Sequence, residues 1–346
     1  MKAIRFHEHG GPEVLKYEDI PEPEPGPGEC LVKIMATTLN GADVMTVEGI
    51  PGLTIPLPMI PGIDTAGEIA ALGHGVDGSK WAVGDRVSVY GIIPVGEAFR
   101  LMGETLPGAC CDYITVAQTN LLPIPDNVSY VQAAALPVAY GTALRMMVKR
   151  ARVQAGEKVL ILGATGGVGT CCVQLAKMAG AEVLACGSSE WKVERLKELG
   201  ADHVVNVSKQ DFLEESRRIF GRPRVAVGDK VKGTGGADIV VNYTGGDTLE
   251  PSQKALSSHG RMAVCGATAG YQATVDLRYI WSFEQQIIGS NGWDIEDQEE
   301  LLDMVSEGRL DPIIHAERPL KEYPLALREL IDRQVFGKSA VLPEHD

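Results

Sequence analysis

A glycine-rich turn lies between an apolar strand and an amphipathic helix in the middle of this chain. The strand is predicted at KVLILG, the turn at ATGGVG and the helix at VGTCCVQLAKMAG. A second strand at EVLACG, a helix at EWKVERLKELG and a third strand at HVVNV follow without a break. Strands that alternate with helices in this way predict a parallel sheet with right-handed connections and helices packed against it.

The alternation continues to residue 293. Further strands are predicted at ADIVVNYTGG, GRMAVCGATAG and QQIIGSNG, and a further helix at LEPSQKALSS. An Ala-rich helical stretch, Tyr130–Arg150, precedes the first of these strands. Together the segments predict an α/β nucleotide-binding domain of the doubly wound Rossmann type over residues 126–293.

The first 125 residues are rich in proline and glycine and contain short β-type runs, among them CLVKIMAT, GEIAAL, DRVSVY and CDYITV. Short strands broken by turn residues predict a compact β-barrel or sandwich. Near the other end, helices are predicted at DQEELLDMVSEGRL and YPLALRELIDR, with a loop around Pro312 and Pro319 between them. A closing strand at KSAVL could rejoin the N-terminal β-domain, so residues 1–125 and 294–346 are predicted to form one domain.

Composition excludes several function classes. The chain has 346 residues, enough for two domains, and no apolar run approaches the roughly 18 to 20 residues that a membrane helix requires. A net charge of −14 repels nucleic acid. The N-terminus has no apolar signal-peptide core, and the seven cysteines form no CxxC pair. We therefore predict a cytoplasmic protein with buried free thiols and a small-molecule substrate, with neither nucleic acid nor a membrane as a partner.

The glycine-rich turn predicts a dinucleotide ligand. Read against the pattern G-x-G-x-x-G, its three positions are Ala164, Gly166 and Gly169, so the first glycine is displaced. Gly166 lets the backbone approach a diphosphate, and Gly169 lets the helix pack on the sheet while its first N–H groups face the phosphates. The predicted cofactor-binding residues of the turn are Ala164, Thr165, Gly166, Gly167, Val168 and Gly169.

The end of the second strand bears on the choice between NAD and NADP. An Asp or Glu about 20 residues after the turn usually binds the ribose hydroxyls of NAD. This chain has Ser188 and Ser189 there, followed by Lys192. Two hydroxyls and a cation suit a 2′-phosphate, so NADP(H) is preferred over NAD(H). The alternative is that Lys192 and Arg195 are solvated helix positions.

An ordered set of short motifs extends this interpretation to nearly the whole chain. The set consists of ATTLNGAD, PGIDTAGEI, VGDRV, GATGGVG, LGADHVVN, GRMAVCGATAG and FGKSAVL. In these motifs the chain resembles the medium-chain dehydrogenase/reductases and, within them, the quinone oxidoreductase-like branch. The resemblance implies a GroES-like β-barrel catalytic domain built from both ends of the chain and a central Rossmann domain. It also implies a homo-oligomer, a dimer or a tetramer, that associates through the strand QQIIGSN.

The resemblance also bears on metal binding. Zinc alcohol dehydrogenases of the same superfamily hold a catalytic metal with Cys and His side chains, and the matching positions here are Asn40, Ile63 and about Val138. An isoleucine cannot ligate zinc, and an amide is a poor ligand. The segment that carries four cysteines in those enzymes reads YGIIPVGEAFRLMGETLPGA in this chain. We therefore expect an enzyme without zinc.

The expected absence of zinc limits the expected reaction. Hydride transfer involving an unactivated alcohol needs a group such as zinc to stabilise the alkoxide. Without it, the expected acceptor is already electrophilic: a quinone, or an α,β-unsaturated carbonyl or thioester compound, whose oxygen needs only hydrogen-bond donors and good positioning. The alternatives are an alcohol dehydrogenase or carbonyl reductase of the same superfamily, and a nucleotide-binding protein with little catalysis.

Three residues are candidates for catalysis, each with a structural alternative. Asn40 stands at the position of a metal ligand and could donate to a substrate carbonyl, or it stabilises a turn. Asp43 could act in proton transfer, or it supports the fold of its loop. Tyr140 could donate a proton, or it is a tyrosine of the core.

Further cofactor contacts follow from the resemblance alone. Its matching positions are Thr142, Asn242, Gly266, Ala267, Asn291 and Lys338. A basic segment at residues 221–236 has no assigned role. It is predicted to be a solvated surface excursion or a lip that contacts an anionic part of the substrate, through Arg222, Arg224, Lys230 and Lys232.

Overall fold

The computed structural model describes residues 1–96, 98–226 and 235–345. These residues belong to two compact units, one formed by Met1–Tyr140 with Asp294–Asp346 and the other by Gly141–Trp293. Across the described ranges, no helix combines the length and the apolar character needed to span a bilayer.

The strands and helices have the following bounds. The strands are β1 (Lys2–Arg5), β2 (Lys16–Asp19), β3 (Glu29–Thr38), β4 (Asp64–Leu72), β5 (Arg86–Val89), β6 (Ile92–Val95), β7 (Ala98–Leu101), β8 (Tyr113–Ala117), β9 (Leu121–Pro123), β10 (Lys158–Ile161), β11 (Glu182–Gly187), β12 (His203–Asn206), β13 (Ala237–Val241), β14 (Leu256–Val264), β15 (Gln286–Gly289), β16 (Ile314–Pro319) and β17 (Lys338–Leu342). The helices are α1 (Gly41–Glu48), α2 (Tyr130–Ala134), α3 (Gly141–Leu144), α4 (Gly167–Met178), α5 (Glu190–Glu198), α6 (Phe212–Phe220), α7 (Leu249–Ala255), α8 (Leu277–Ser282), α9 (Ile295–Ser306) and α10 (Tyr323–Ile331).

The unit Gly141–Trp293 is built on a parallel sheet. Its strands lie in the order β12-β11-β10-β13-β14-β15, and each neighbouring pair is parallel. This is the 3-2-1-4-5-6 order of a doubly wound sheet, in which the winding reverses between β10 and β13. The predicted Rossmann sheet is therefore confirmed.

Helix α4 illustrates why this sequence covers the sheet. Cys171, Cys172 and Leu175 recur at helical spacing and are buried, whereas Lys177 is partly exposed. After the helix, Gly180 has a φ of +80°, a left-handed backbone that glycine adopts without strain. An apolar face of this kind buries itself against the strands and fixes the helix on the sheet.

The unit Met1–Tyr140 with Asp294–Asp346 has strands in the order β16-β17-β3-β4-β5-β9, with β8 also paired to β3. Strand β17 is antiparallel to β3, with Ala340 opposite Thr38, so the closing strand joins the N-terminal β-strands as the sequence predicts. Strands β3 and β4 are also antiparallel, with Thr38 opposite Asp64. The same register brings Lys338 level with Asn40, because each lies two residues beyond the Ala340 and Thr38 pair.

Two segments differ from the prediction. The loop expected around Pro312 and Pro319 contains β16, a strand at the edge of its sheet that pairs in parallel with β17. The helix expected at LEPSQKALSS stops at Ala255, and strand β14 begins with its last residues. Two serine hydroxyls explain this change, because Ser257 bonds Asp238 and Ser258 bonds the carbonyl of Arg224 instead of supporting another helical turn.

The basic segment 221–236 is described only in part. Arg222 and Arg224 are exposed, and the Arg222 guanidinium lies 3.9 Å from the Glu214 carboxylate. Lys230 and Lys232 lie outside the described residues. The role of the segment as a substrate-contacting lip therefore stays a prediction.

Candidate functional site

The carboxyl edge of the parallel sheet gathers most of the residues that the sequence predicts to bind a cofactor. The glycine-rich turn follows β10, and the other predicted residues follow the neighbouring strands. These are Ser188 and Ser189 after β11, Asn242 after β13, Gly266 and Ala267 after β14, and Asn291 after β15. In sheets of this kind ligands bind outside the carboxyl ends of the strands, at the point where the winding reverses.

The glycine-rich turn has the geometry that a close backbone approach requires. A Cβ on Gly169 would lie 2.5 Å from the Ala164 Cα, so only glycine lets the start of α4 pack on the strand end. Gly163 has a φ of +65°. Gly166 precedes the first turn of α4 with extended backbone and no capping side chain. The first N–H groups of the helix are therefore free of a side-chain cap and can face an anion.

Around the end of β11, hydroxyl and charged groups occupy neighbouring positions. Ser188 is exposed, and Ser189 precedes α5 with a buried hydroxyl that has no hydrogen-bond partner in the part of the chain that the structure describes. Glu190 is bonded by Lys209 (2.5 Å) and by the Asn206 amide (3.0 Å), and the Lys209 contact holds the pKa of that carboxyl below its ordinary value. The carboxylate of Glu190, which follows Ser189 in the chain, is therefore already paired with a lysine.

The two predicted cations of α5 have different surroundings. Lys192 is 3% exposed, and its ammonium lies 5.4 Å from the centre of the Trp191 ring. Arg195 forms an ion pair with Glu198 at 3.2 Å on the helix surface. Of the two cations, Lys192 is therefore the one that is shielded from solvent and lies against an aromatic ring. Its contact with a 2′-phosphate stays a prediction.

Asn242 is completely buried, and its side chain organises the loop after β13. The amide oxygen accepts from the backbone N–H groups of Thr244 and Gly245, each at 3.0 Å. The amide nitrogen donates to the hydroxyls of Thr248 (3.1 Å) and Ser252 (2.9 Å). A contact of Asn242 with the cofactor, as predicted, would have to use the same amide oxygen or nitrogen.

The other predicted cofactor residues differ in exposure. Gly266 and Asn291 are exposed, Ala267 is partly exposed and Thr142 is buried in α3.

The residues at the carboxyl edge fit a dinucleotide. A buried hydroxyl on Ser189 and another on Ser290 have no partner within the described residues, and both lie just beyond a strand end. Hydroxyls of this kind can form a hydrogen bond with a ligand or with water. The turn at Gly166 would hold the diphosphate, and Ser188 with Ser189 would hold the ribose that bears the adenine.

The unit with the N-terminal strands holds a buried ion pair between Lys338 and Asp64. Their side chains are 2% and 0% exposed and lie 2.9 Å apart. The ammonium also donates to the Leu39 carbonyl (2.8 Å) and to Asn40 Oδ1 (2.5 Å), which uses all three of its N–H groups. A direct contact of Lys338 with the cofactor, as predicted, would have to replace one of these bonds.

The Asp64 carboxylate is equally well satisfied. Its Oδ2 accepts from Asn40 Nδ2 (2.8 Å) and lies 3.1 Å from the Thr38 hydroxyl, and its Oδ1 accepts from the Val138 N–H (2.9 Å). These bonds assign the Asn40 amide unambiguously, with its oxygen on the ammonium and its nitrogen on the carboxylate. The side chain of Asn40 is therefore fixed from both sides.

Asp43 lies in the first turn of α1 and is completely buried. Its two carboxylate oxygens accept from the backbone N–H groups of Asn40 (2.7 Å) and Gly62 (3.1 Å). Burial, aided by the nearby Asp64 charge, raises the pKa of Asp43 to about 7, although the two N–H donors oppose that rise. The carboxyl therefore holds the turn that presents Asn40, and a role in proton transfer stays a prediction.

Tyr140, the third candidate for catalysis, is completely buried, and its hydroxyl accepts from the Ile313 N–H at 2.8 Å. This bond ties the tyrosine to the segment before β16. The predicted proton donation by Tyr140 is not tested by this contact and stays a prediction.

The surroundings of Asn40 offer few ligands for a metal ion. Ile63 is 1% exposed and has no donor atom, and the side-chain oxygens of Asn40 and Asp64 face the Lys338 ammonium. Within residues 1–96, 98–226 and 235–345, no group of three or more His, Cys, Asp or Glu side chains is arranged to hold a metal. Six of the seven cysteines are buried, and Cys265 is partly exposed.

Comparison with known proteins assigns the family. Residues 26–126 match the alcohol dehydrogenase GroES-like domain, and residues 167–307 match the zinc-binding dehydrogenase family. Over 338 residues the chain is 31% identical to the quinone oxidoreductase of Mus musculus, a match that covers 96% of this chain and 94% of that protein. The chain belongs to the medium-chain dehydrogenase/reductase superfamily.

Other members of the superfamily agree with this assignment. The crotonyl-CoA reductase of Streptomyces avermitilis is 29% identical over 95% of this chain and 82% of that protein. Among solved structures, an NAD-dependent alcohol dehydrogenase matches with a TM-score of 0.89 and 35% identity over 99% of both chains. A crotonyl-CoA carboxylase/reductase in complex with NADP matches with a TM-score of 0.85 and 26% identity over 99% of this chain and 94% of that chain. This medium-chain dehydrogenase/reductase is thus an oxidoreductase of the quinone oxidoreductase-like branch, and the predicted pairing of GroES-like and Rossmann domains is confirmed.

Some residues around these sites could not be found from the sequence. Lys209 comes 19 residues after Glu190 in the chain, and no local pattern indicates that they pair. Tyr243 follows β13 within the apolar run that predicts that strand, and its hydroxyl donates to the Gly163 carbonyl. A tyrosine at a strand end is ordinary in sequence, so only the fold reveals its contact with the glycine-rich turn.

The ion pair of Lys338 and Asp64 predicts strong coupling in unfolding experiments. Lys338→Met leaves a buried carboxylate without its cation, which should lower the apparent free energy of unfolding by about 3 to 5 kcal/mol. Asp64→Asn should likewise destabilise the protein. The free energy of unfolding should be measured by urea denaturation for the two single variants and for the double variant Lys338→Met, Asp64→Asn. The loss in the double variant should be smaller than the sum of the two single losses by at least about 1 kcal/mol.

The matched control is Lys321→Met. Lys321 pairs with Glu344 at 2.9 Å, but both side chains are about half exposed, so its loss should change stability by less than about 1 kcal/mol. If the losses of unfolding free energy in the Lys338 and Asp64 variants were strictly additive, the two side chains would not be coupled, and this result would contradict the ion pair.

Asp43 predicts a pH dependence of stability. Its pKa is about 7 in the folded protein against an ordinary value of 3.8, so between these values the folded state holds a proton that the unfolded state has lost. The Asp43 contribution to stability is therefore fully present below about pH 4, and it is lost as the pH rises to about 7. The difference in unfolding free energy between the wild type and Asp43→Asn should fall across this window by up to about 1.4 kcal/mol per pH unit. A difference that does not change between about pH 5 and 7 would contradict the raised pKa.

Proposed function

We propose that this chain is a zinc-independent, NADPH-dependent reductase that transfers hydride to quinones or to α,β-unsaturated carbonyl or thioester compounds. The observation that carries the proposal is the Lys338 ammonium on the Asn40 amide, at a position that holds a metal ligand in zinc alcohol dehydrogenases. The likeness to a quinone oxidoreductase and to crotonyl-CoA reductases supports the two substrate classes.

Zinc independence is supported by the charge already present. A zinc ion bound near Asn40 and Asp64 would meet the Lys338 ammonium, which is bonded to both side chains. Two cations at this distance repel each other strongly in a buried site. Ile63 supplies no replacement ligand. The residues present therefore do not fit the zinc site that the family description implies.

The dinucleotide would be held by the carboxyl edge of the parallel sheet. When bound, the reduced nicotinamide supplies the hydride. The N–H groups at the start of α4 bind the diphosphate, and Ser188, Ser189 and Lys192 bind the 2′-phosphate. The pairing of Glu190 with Lys209 supports NADPH over NADH, because it weakens the repulsion between this carboxylate and a 2′-phosphate. The likeness to a crotonyl-CoA carboxylase/reductase in complex with NADP supports the same choice.

Asn40 would stabilise the oxygen of the acceptor. Its Oδ1 accepts from the Lys338 ammonium, which withdraws electron density and makes the Nδ2 hydrogens better donors. One Nδ2 hydrogen goes to Asp64, and the other is directed to the substrate carbonyl oxygen as negative charge builds up on it. Solvent then protonates the product. Asp43 holds the backbone of Asn40, so we assign it a positioning role.

The role of Asn40 can be tested by removing its amide. Asn40→Ala should lower kcat with a conjugated enone on the order of 100-fold, because one donor to the developing oxyanion is lost. The affinity for NADPH, measured by calorimetric titration, should stay within about twofold. Asn127→Ala, on the exposed surface, is the control and should leave both values unchanged. Unchanged kcat in a folded Asn40→Ala variant would refute the proposed donor.

The substrate class is tested by parallel assays on chelator-treated protein. NADPH should be oxidised with a quinone, a 2-enal or an enoyl thioester, and not with a saturated aldehyde of equal size. Neither chelator nor added zinc should change these rates, and NADH should give a lower kcat/KM than NADPH. Activity with the aldehyde alone, or only after zinc is restored, would instead identify an alcohol dehydrogenase. Tight NADPH binding without turnover of any acceptor would identify a nucleotide-binding protein with little catalysis.

The proposed enzyme is a homo-oligomer, a dimer or a tetramer. Strand β15 lies at the edge of the parallel sheet, and Leu277, Trp281 and Ile287 on and near it are 64%, 65% and 41% exposed. An open sheet edge beside large exposed apolar side chains supports pairing with a second copy of the chain. The cytoplasmic location also stays a prediction.

A further inference from the structure

Tyr243 lies at the point where the winding of the parallel sheet reverses. It follows β13 directly, and β13 is the strand next to β10 on the side where the connections change direction. The glycine-rich turn follows β10. Tyr243 therefore stands beside the turn that would hold the diphosphate, although it belongs to a different strand connection.

The tyrosine ring packs directly against the glycine-rich turn. A Cβ on Gly163 would lie 3.0 Å from the phenol oxygen and 3.1 Å from the Cζ that carries it. On Gly166, a Cβ would lie 3.7 Å from the same oxygen. Gly163 thus leaves space for the ring, and the hydroxyl reaches the position at which the backbone would approach the diphosphate.

The hydroxyl is held by the backbone at the start of the turn, because it donates to the Gly163 carbonyl. Burial, with the neighbouring thiols of Cys172 and Cys265, raises the pKa of Tyr243 well above its ordinary value. The hydroxyl therefore keeps its proton throughout the working pH range and remains a donor to Gly163.

These contacts hold the start of the turn through one side chain from a neighbouring strand connection. Gly163 itself has a φ of +65°. A glycine-rich backbone can adopt many conformations. Binding a ligand fixes the backbone in one of them, and this loss of conformational entropy weakens binding. A hydroxyl bonded to the Gly163 carbonyl reduces that freedom before the ligand arrives.

We propose that Tyr243 is a cofactor-positioning residue, whose hydroxyl fixes the glycine-rich turn so that its backbone N–H groups are aimed at the diphosphate of the dinucleotide. The inference rests on the proposed function, since it assumes that a dinucleotide binds at this turn. It concerns only the half of the ligand that carries the diphosphate. Binding of the adenosine half, at Ser188 and Ser189, should not depend on Tyr243.

The test compares two ligands on wild-type protein and on the Tyr243→Phe variant of the full chain. NADPH contains the diphosphate, and adenosine 2′-monophosphate contains only the adenosine and the 2′-phosphate. By isothermal titration calorimetry, Tyr243→Phe should weaken NADPH binding about 3- to 10-fold, the effect of one hydrogen bond. The same variant should leave the affinity for adenosine 2′-monophosphate within about 1.5-fold. NADH and adenosine 5′-monophosphate form a second pair. The 5′-phosphate of each belongs to the diphosphate position, so Tyr243→Phe should weaken the binding of both.

A matched control is Tyr279→Phe. Tyr279 belongs to the same unit, lies in α8 and stacks on Phe283 at 5.1 Å between ring centres. This control should change neither affinity, and the melting temperatures of both variants show whether the unit remains folded.

Three results would overturn the inference. Equal NADPH affinity in the wild type and Tyr243→Phe would mean that the hydroxyl does not position the turn. Equal weakening of NADPH and adenosine 2′-monophosphate would mean that Tyr243 supports the unit in general. A wild-type protein that binds neither NADPH nor NADH would overturn the proposed function as well, whereas the first two results would leave that function intact.

Discussion

The buried contact between the Lys338 ammonium and the Asp64 carboxylate is the interaction on which the candidate catalytic residues depend. Isolated charges at 2% and 0% exposure would destabilise the fold, and this pair is tolerated because every N–H of the lysine and both oxygens of the aspartate are bonded. Its partners come from β3, β4, β17 and the segment before α3. The C-terminal strand must therefore be in place before Asn40 is held, so folding and assembly of the site require the same bonds.

The same pair restricts the chemistry that the site can support. An ammonium has three donors and no open coordination position, and all three donors are engaged. Lys338 therefore cannot accept a substrate oxygen as a zinc ion would, and it acts only through the polarised amide of Asn40. On the proposed function, one such amide is sufficient for an acceptor that is already electrophilic, whereas an unactivated alkoxide needs a stronger electrostatic partner.

The sequence predicts the parts of this structure that have a local signal. The strand, glycine turn and helix at residues 158–178 combine an apolar run, small residues and a helical period, and each signal agrees with the others. The sequence indicates both Asn40 and Lys338 as candidate site residues, but their contact joins residues 298 positions apart. Pairings of that kind depend on strand register, which the local sequence does not encode. The sequence does not predict strand β16, because half of its residues are polar, as is common at a sheet edge.

The Lys338 and Asp64 pair is satisfied within its own unit. The carboxyl edge of the parallel sheet differs from this pair, because some of its polar groups are unsatisfied. In the unit with the parallel sheet, uncapped N–H groups at α4 and unpartnered hydroxyls at Ser189 and Ser290 remain at the strand ends within the described residues. The chain carries a net charge of −14, so its overall field opposes the approach of an anionic ligand. That field is screened beyond about 10 Å, and short-range donors decide the affinity. On the proposed function, a turn whose donors are already aimed at the diphosphate therefore contributes more to binding than a basic surface would, and this makes the contact of Tyr243 with Gly163 relevant to the site.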